Sequence, residues 1–381
     1  MCCAVVAGKS MTSTCEEQTM RRVYDDVREE PVRGGVILSR PGHSNGRRVL
    51  FINSYGGADL WRKIKSGHQP THHLWGCVEL LSHGYTVLVA EPLKHFEWRG
   101  RIFPHDLKYH HHIVDWVRRD DIVFCAHTLL YWLPFLQLLG YRRRTLVSLT
   151  YAREELDFAA AHRGVIALTP AAADEARRMA PRAKVAMLGW GADLEFFPVL
   201  PYNPRFFFSN GRTHRDFDTL ARGVALAGFP TSVLSAPRAP EVPWSKHVDL
   251  ISGAASGEAI PFHDLFHRYY ADCTASLIAL KADPREKTAV GLTSAIEAMA
   301  MARPVIVTRT GAMPGILDLD QRRCGLAVPA QDPAALAEAM RYLAENPARA
   351  AEMGAAGRRH CESYFNIERY AADLHSLFQS L

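Results

Sequence analysis

One unit recurs along this 381-residue chain: a short, wholly apolar run, a turn, and then a helical pattern. RRVLFINSY (47–55), YTVLVAE (85–91), DIVFCAH (121–127), RTLVSLTY (144–151) and GVIALT (164–169) are apolar at successive positions rather than alternate ones. A strand with one face in water alternates. A strand that is apolar throughout needs cover on both faces, the condition of a parallel sheet between helix layers. After a stretch containing Pro and Gly near 189–204 the pattern restarts with RFFFSNG (205–211), PTSVLSA (230–236), ASLIAL (275–280) and PVIVT (304–308). Helical patterns fall between the runs: HHLWGCVELLSHG (72–84), which ends at Gly84 as a C-cap, RDFDTLARGVALAG (215–228) and TSAIEAMAMA (293–302). QDPAALAEAMRYLAENP (331–347) opens with Asp332 as N-cap and Pro333 at the first helical position. The expectation is an α/β protein with two doubly wound, Rossmann-like halves facing a central cleft. The first would span 47–195 and the second 196–362, with a terminal helix over 363–381. Residues 1–46 read as a loose, irregular extension in which Met11 and Met20 are alternative starts.

Composition narrows the function. A formal net charge of +5 suits anionic ligands such as diphosphates. No arginine-rich stripe interleaves with aromatics, so a nucleic-acid partner is not expected. The eight cysteines are scattered, without a Cys-x-x-Cys pair or zinc spacing, and read as reduced thiols of a cytoplasmic protein. The run IVFCAHTLLYWLPFLQLLG (122–140) is long enough for a membrane span, but His127, Pro134 and Gln137 divide it into a buried strand and a helix. Its basic flank, Arg142–Arg144, suits peripheral contact with anionic lipid at the inner face of a membrane.

The chemistry concentrates in VGLTSAIEAMAMARPVIVTRTG (290–311). A loop enters a helix near Thr293, and the first-turn amides around Gly291, Leu292 and Thr293 suit a phosphate. One turn further in, the Glu297 carboxylate can accept from two ribose hydroxyls; alternatively it only favours the positive end of the helix dipole.

This segment resembles the C-terminal signature of the family-four retaining glycosyltransferases (glycosyl transferases group 1), carried here by Glu297-Ala298-Met299-Ala300 and Arg303-Pro304-Val305-Ile306. KVAMLGWGADLEFFP (184–198), SNGRTHRDFDTL (209–220), CGLAVPAQDPAALAEAM (324–340) and RRHCESYFNIERYAADL (358–374) resemble further family elements in the right order. The resemblance covers most of 120–381 and is only architectural before 120. It implies the GT-B fold, with the terminal helix crossing back onto the first domain. It implies that Arg212 and Arg215 contact the donor diphosphate, Glu297 the ribose, and Gly291, Leu292 and Thr293 supply the amide cradle. Two departures stand out. The family's first acid falls at Ala289, with Lys281 and Glu286 nearby, and the Gly before Arg303 is replaced by Ala302.

In the first half, His127 ends a strand at the edge where open α/β sheets place ligands. The resemblance puts a His there facing the reacting sugar. The loop at Ser54, Tyr55, Gly56 and Gly57 follows the first strand toward the same cleft, and Gly67 competes with it as the glycine-rich turn. His72 and His73 read as a helix start near the acceptor cleft, and His110–His112 as surface or packing residues. Neighbouring residues point in different directions, so neither cluster makes a metal-ligand set. No metal or other cofactor is expected, because basic side chains and helix amides do that work in this fold. The resemblance thus implies transfer of a sugar from a nucleoside diphosphate sugar to a carbohydrate, lipid or small-molecule hydroxyl with retention. UDP is favoured and GDP is compatible. An epimerase or hydrolase of the same fold, or a non-catalytic nucleotide-binding subunit, are the rival readings.

Overall fold

The computed structural model describes residues 24–53, 57–91, 97–98, 101–102, 109–126, 130–141, 144–150, 158–211, 213–235, 241–251, 265–282 and 289–381. The apolar runs become the central strands of two sheets. The first sheet is built from β1 (Arg28–Val32), β2 (Gly35–Ser39), β3 (Arg48–Ile52), β4 (Thr86–Ala90), β7 (Ile122–Cys125), β8 (Thr145–Thr150), β9 (Gly164–Ala167) and β10 (Lys184–Met187). β5 (Glu97–Trp98) and β6 (Arg101–Ile102) form a separate two-stranded sheet. The order β1-β2-β4-β3-β7-β8-β9-β10 is parallel from β4 to β10. Every residue of β7 is buried, as are Val49 to Ile52 of β3, which is the double-sided cover their apolar runs demand.

Residues 28–39 depart from the expected loose extension. β1 and β2 form an antiparallel hairpin that joins the sheet through an antiparallel β2–β4 pair. Val36 and Leu38 alternate inward over a two-residue turn at Arg33–Gly34, a short-range signal that the polar surroundings hid.

The second sheet contains β11 (Phe206–Asn210), β12 (Thr231–Leu234), β13 (Val248–Ile251), β14 (Cys273–Ile278), β15 (Val305–Arg309) and β16 (Gly325–Pro329) in the order β13-β12-β11-β14-β15-β16, all parallel. Asp332 caps the Pro333–Glu345 helix by accepting from Ala335 N at 2.9 Å. The last helix, Ile367–Gln379, returns to the first domain. There Phe378 meets Tyr85 and Phe124 edge-on, and Arg47 donates to Phe378 O. This is the GT-B arrangement of two Rossmann-like sheets with a terminal crossover.

The expected helix over 72–84 is two short 3-10 turns instead, Thr71–Leu74 and Glu79–His83. Trp75 breaks it with a left-handed backbone (φ 51), and Tyr370 of the crossover helix packs against the next residue, Gly76. Tertiary packing outranks the 3.6-residue period here. The 122–140 run divides into β7 and a helix at Trp132–Leu138, and among the described residues no helix is long and apolar enough to cross a membrane. The five described cysteines, Cys77, Cys125, Cys273, Cys324 and Cys361, are buried, and none of them is in a disulfide among the described residues.

Candidate functional site

Strand order reverses between β11 and β14, so the crevice at their C-terminal ends is where an open α/β sheet takes a ligand. β11 ends at Asn210–Gly211, and the loop behind it is fastened to β14: Asp216 N–H donates to Ala279 O and Lys281 N–H to His214 O, both at 2.9 Å. Arg215 is 5% exposed. Its Nε and Nη2 donate to Asn210 O at 3.2 and 3.0 Å, Nη1 donates to Thr213 O at 3.3 Å, and Nη2 reaches Ser294 Oγ at 3.1 Å. The guanidinium therefore clamps the strand end to the first turn of the Leu292–Ala300 helix and places its charge beside that helix's positive end.

Gly291 is the N-cap of this helix and is left-handed, with φ 93. A side chain there is both strained and crowded, since a Cβ meets Ile278 Cγ2 at 3.1 Å. Among the described residues no side chain caps this N-terminus, in contrast to the Asp332 cap. Leu292 is buried and Thr293 half-buried beside it.

Glu297 is 2% exposed. Tyr270 Oη lies 3.3 Å from both Glu297 Oε2 and Ser294 O, so its single proton serves one acceptor at a time. Burial raises the Glu297 carboxyl to about 8, opposed only in part by the Tyr270 hydrogen bond. Burial and the neighbouring Glu297 charge push the Tyr270 phenol well above its ordinary range. The other carboxyl oxygen, Oε1, has no hydrogen-bond partner among the described residues; it faces His72 Nε2 of the first domain at 3.7 Å.

His72 is fully buried, stacked on Phe197 and edge-on to Trp190. Asp193 N–H donates to its Nδ1 at 3.3 Å, so in the neutral ring the proton sits on Nε2, toward Glu297. Asp193 is the organiser here. Its Oδ2 accepts from Thr71 N and Thr71 Oγ1 at 2.9 and 3.1 Å, and its Oδ1 accepts from Phe196 N at 3.1 Å. Neither Asp193 nor Tyr270 stood out in sequence reasoning as a site residue. The Gly-x-Asp before Phe196 was the available signal for the first; nothing marks the second.

The sequence-derived candidates separate into groups. Arg215, Gly291, Leu292, Thr293 and Glu297 come together at the β11–β14 crevice with His72 facing them. Gly57 opens the Gly57–Lys65 helix, where a Cβ would lie 2.6 Å from Val89 Cγ1, and the next two amides donate to Glu91 Oε1. Gly67 donates to Ile64 O at the other end of that helix, which makes it a helix stop and not the turn after the first strand. Ser54, Tyr55, Gly56, His127, Arg212 and Glu286 lie outside the described residues. Ala289, where the family has its first acid, is completely buried. His73 was read as no metal ligand, yet ligand atoms of His72, His73 and Glu297 lie within 4.8 Å of one another. A tetrahedral zinc site holds its ligand atoms closer, at about 3.4 Å.

Beside the crevice, on the side of the interdomain linker, a cavity of about 500 Å³ runs between the domains. Leu292 lines it together with Trp190 of the linker and His360 near the crossover.

Residues 255–346 match the family model described as "Glycosyl transferases group 1". Over 70 residues the chain is 40% identical to D-inositol 3-phosphate glycosyltransferase of Streptomyces avermitilis, a stretch that covers 18% of this chain and only 15% of that relative. Among solved structures, sucrose-phosphate synthase of Thermosynechococcus elongatus shares the fold with a TM-score of 0.60 at 16% identity, over 88% of this chain and 98% of that one. Anabaena HepE in complex with UDP and glucose aligns with a TM-score of 0.56 at 12% identity, over 88% and 100%. The family match falls on the half that carries the cradle and Glu297, and the GT-B architecture is shared with these structures over both halves.

Proposed function

We propose that the chain transfers a sugar from a nucleoside diphosphate sugar, a UDP-sugar before a GDP-sugar, to a hydroxyl acceptor with retention of anomeric configuration. The observation that carries this reading is the helix start at Gly291, which no side chain caps among the described residues, clamped by Arg215 and followed one turn later by a buried Glu297 whose Oε1 lacks a hydrogen bond among those residues. A diphosphate on the Leu292 and Thr293 amides brings a ribose within reach of that oxygen. The complex of the structurally similar HepE with UDP and glucose supports the same class of donor.

In this mechanism the helix amides and Arg215 stabilise the departing diphosphate, with Arg212 as a second cation. His127 orients the reacting sugar, and closure of the domains about the linker limits hydrolysis. The acceptor is a carbohydrate, lipid or small-molecule hydroxyl on the side of the first domain, near Gly57 and His72. No metal takes part, and the activity proceeds on the cytoplasmic side. Ala289 favours one alternative, a nucleotide-binding subunit without its own transfer activity, because a buried methyl cannot bind the donor sugar.

The test is a thermal-shift screen of nucleoside diphosphates and their sugars on wild type and Glu297→Ala. A ligand at 100 times its Kd stabilises by about 2.7 kcal/mol. One nucleotide should stabilise wild type and not the variant, with or without EDTA. No response to any nucleotide would sink the transferase reading. A response without sugar transfer or donor hydrolysis would select the non-catalytic subunit.

A further inference from the structure

The loops that lead into β7, β8, β9 and β10 lie at the end of the first sheet opposite the ligand crevice. Together they form a groove of about 610 Å³. Arg119, Arg144, Arg163 and Arg182 line it against a single acid, Asp120. Three of these, Arg119, Arg163 and Arg182, are exposed and enter no ion pair among the described residues. Asp121 next door does not offset them, because it is buried against Arg48 at 2.6 Å. Four guanidinium groups around one carboxylate make a surface suited to phosphate.

A second observation adds apolar surface at the same place. The Trp132–Leu138 helix runs down from the crevice end and finishes at this groove, which Leu138 also lines. Leu138, Leu139 and Tyr141 are 47%, 69% and 38% exposed, and Leu139 is the most exposed large hydrophobic side chain among the described residues. Two adjacent leucines in water beside uncompensated arginines are unusual for a surface with no partner. A phosphate-binding groove for a soluble ion has no use for them. An interface that needs both basic charge and inserted hydrocarbon does, and a lipid surface is such a partner.

We infer that this end of the first domain docks on an anionic phospholipid surface. The arginines meet headgroup phosphates, Leu138 and Leu139 enter the acyl boundary, and Tyr141 sits at the interface. The donor crevice lies at the β11–β14 edge of the second sheet, facing the opposite end of the first, so docking leaves nucleotide exchange unobstructed. The inference rests on this surface alone and stands or falls independently of the transferase reading.

The experiment is co-sedimentation of the full chain, without nucleotide, with vesicles of phosphatidylcholine alone or of equal parts phosphatidylcholine and phosphatidylglycerol. The expected result is salt-sensitive binding to the mixed vesicles only. Arg119→Ala/Arg163→Ala/Arg182→Ala should lower the partition coefficient roughly a hundredfold, about fivefold per arginine. Leu138→Ser/Leu139→Ser should lower it as well while leaving the salt dependence in place. All five positions are exposed, so unchanged thermal unfolding of both variants is the control for folding. Equal binding to both vesicle types, no binding to either, or indifference to both variants overturns the proposal. Loss with the arginine variant but not the leucine variant also overturns it, because binding is then adsorption by charge alone, without inserted hydrocarbon.

Discussion

The two sheets present the same kind of edge to the cleft and build it differently. In the second domain the crevice is made by a clamp, a left-handed glycine and a helix that follow one another between β11 and β15; the glycine and the helix answer local backbone demands, and the clamp ties Asn210 to Ser294. In the first domain a side chain that faces this crevice is His72, and what holds it among the described residues is Asp193, 121 residues away on the linker. One edge is specified by motif, the other by tertiary contact. A substitution in the second domain should therefore act on one interaction at a time. One in the first-domain network should disturb the linker and the cleft together.

The largest expected effect tests the motif-built edge. Burial holds the Glu297 carboxyl near 8 in the folded protein, against an ordinary 4.5. Between these values the unfolded chain has released a proton that the folded chain keeps. The contribution to stability is thus fully present below pH 4.5 and declines as pH rises toward 8, by about 1.4 kcal/mol per pH unit. Chemical unfolding of wild type and Glu297→Gln across that range measures it. The stability of wild type relative to the variant should fall steadily with pH. A flat difference would mean that His72, 3.7 Å away, stabilises the charged form and that the two edges are electrostatically one unit.

Next in size is a test of the contact-built edge. Asp193 is 1% exposed and accepts from three donors, so Asp193→Ala strands Thr71 N, Thr71 Oγ1 and Phe196 N in a dry environment. The expected loss is about 3 kcal/mol, read from the denaturation midpoint. Because Asp193 N–H also fixes His72, nucleotide affinity should fall with it. Stability lost with affinity unchanged would show that the first-domain edge does not support the donor site.

This difference also explains what the sequence disclosed. The strands, the Asp332 cap, Gly291 and Glu297 were legible because each satisfies a short-range rule that residue type and spacing express. The 72–84 region was not, because its break at Trp75 depends on Tyr370 nearly three hundred residues later. Tyr270 was invisible for the same reason, as was the engagement of Arg215 with Ser294 in addition to any diphosphate. The β1–β2 hairpin is the exception: Val-Arg-Gly-Gly-Val carried a local turn signal that polar composition on either side obscured.

The smallest effect concerns a place where the chain departs from the family pattern it resembles within the motif-built half. Ala302 stands where the family has Gly, and its φ is 56. It cannot relax, because the Pro347–Ser363 helix packs against its carbonyl so tightly that a Cβ on Gly354 would lie 2.0 Å from Ala302 O. Left-handed backbone costs a residue with a Cβ about 1 kcal/mol relative to glycine. Alanine at positive φ destabilises on balance relative to glycine, even after the greater freedom of glycine in the unfolded chain is counted. Ala302→Gly should therefore stabilise by about 0.5 kcal/mol, raising Tm by about 1–2 °C with donor binding unchanged. A lower Tm would mean that the Ala302 methyl, 9% exposed at the end of the Glu297 helix, contributes more packing than its backbone loses in strain. In that case even this half of the molecule would owe its geometry to tertiary contact, and the contrast between the two edges would narrow to Gly291 and its uncapped helix.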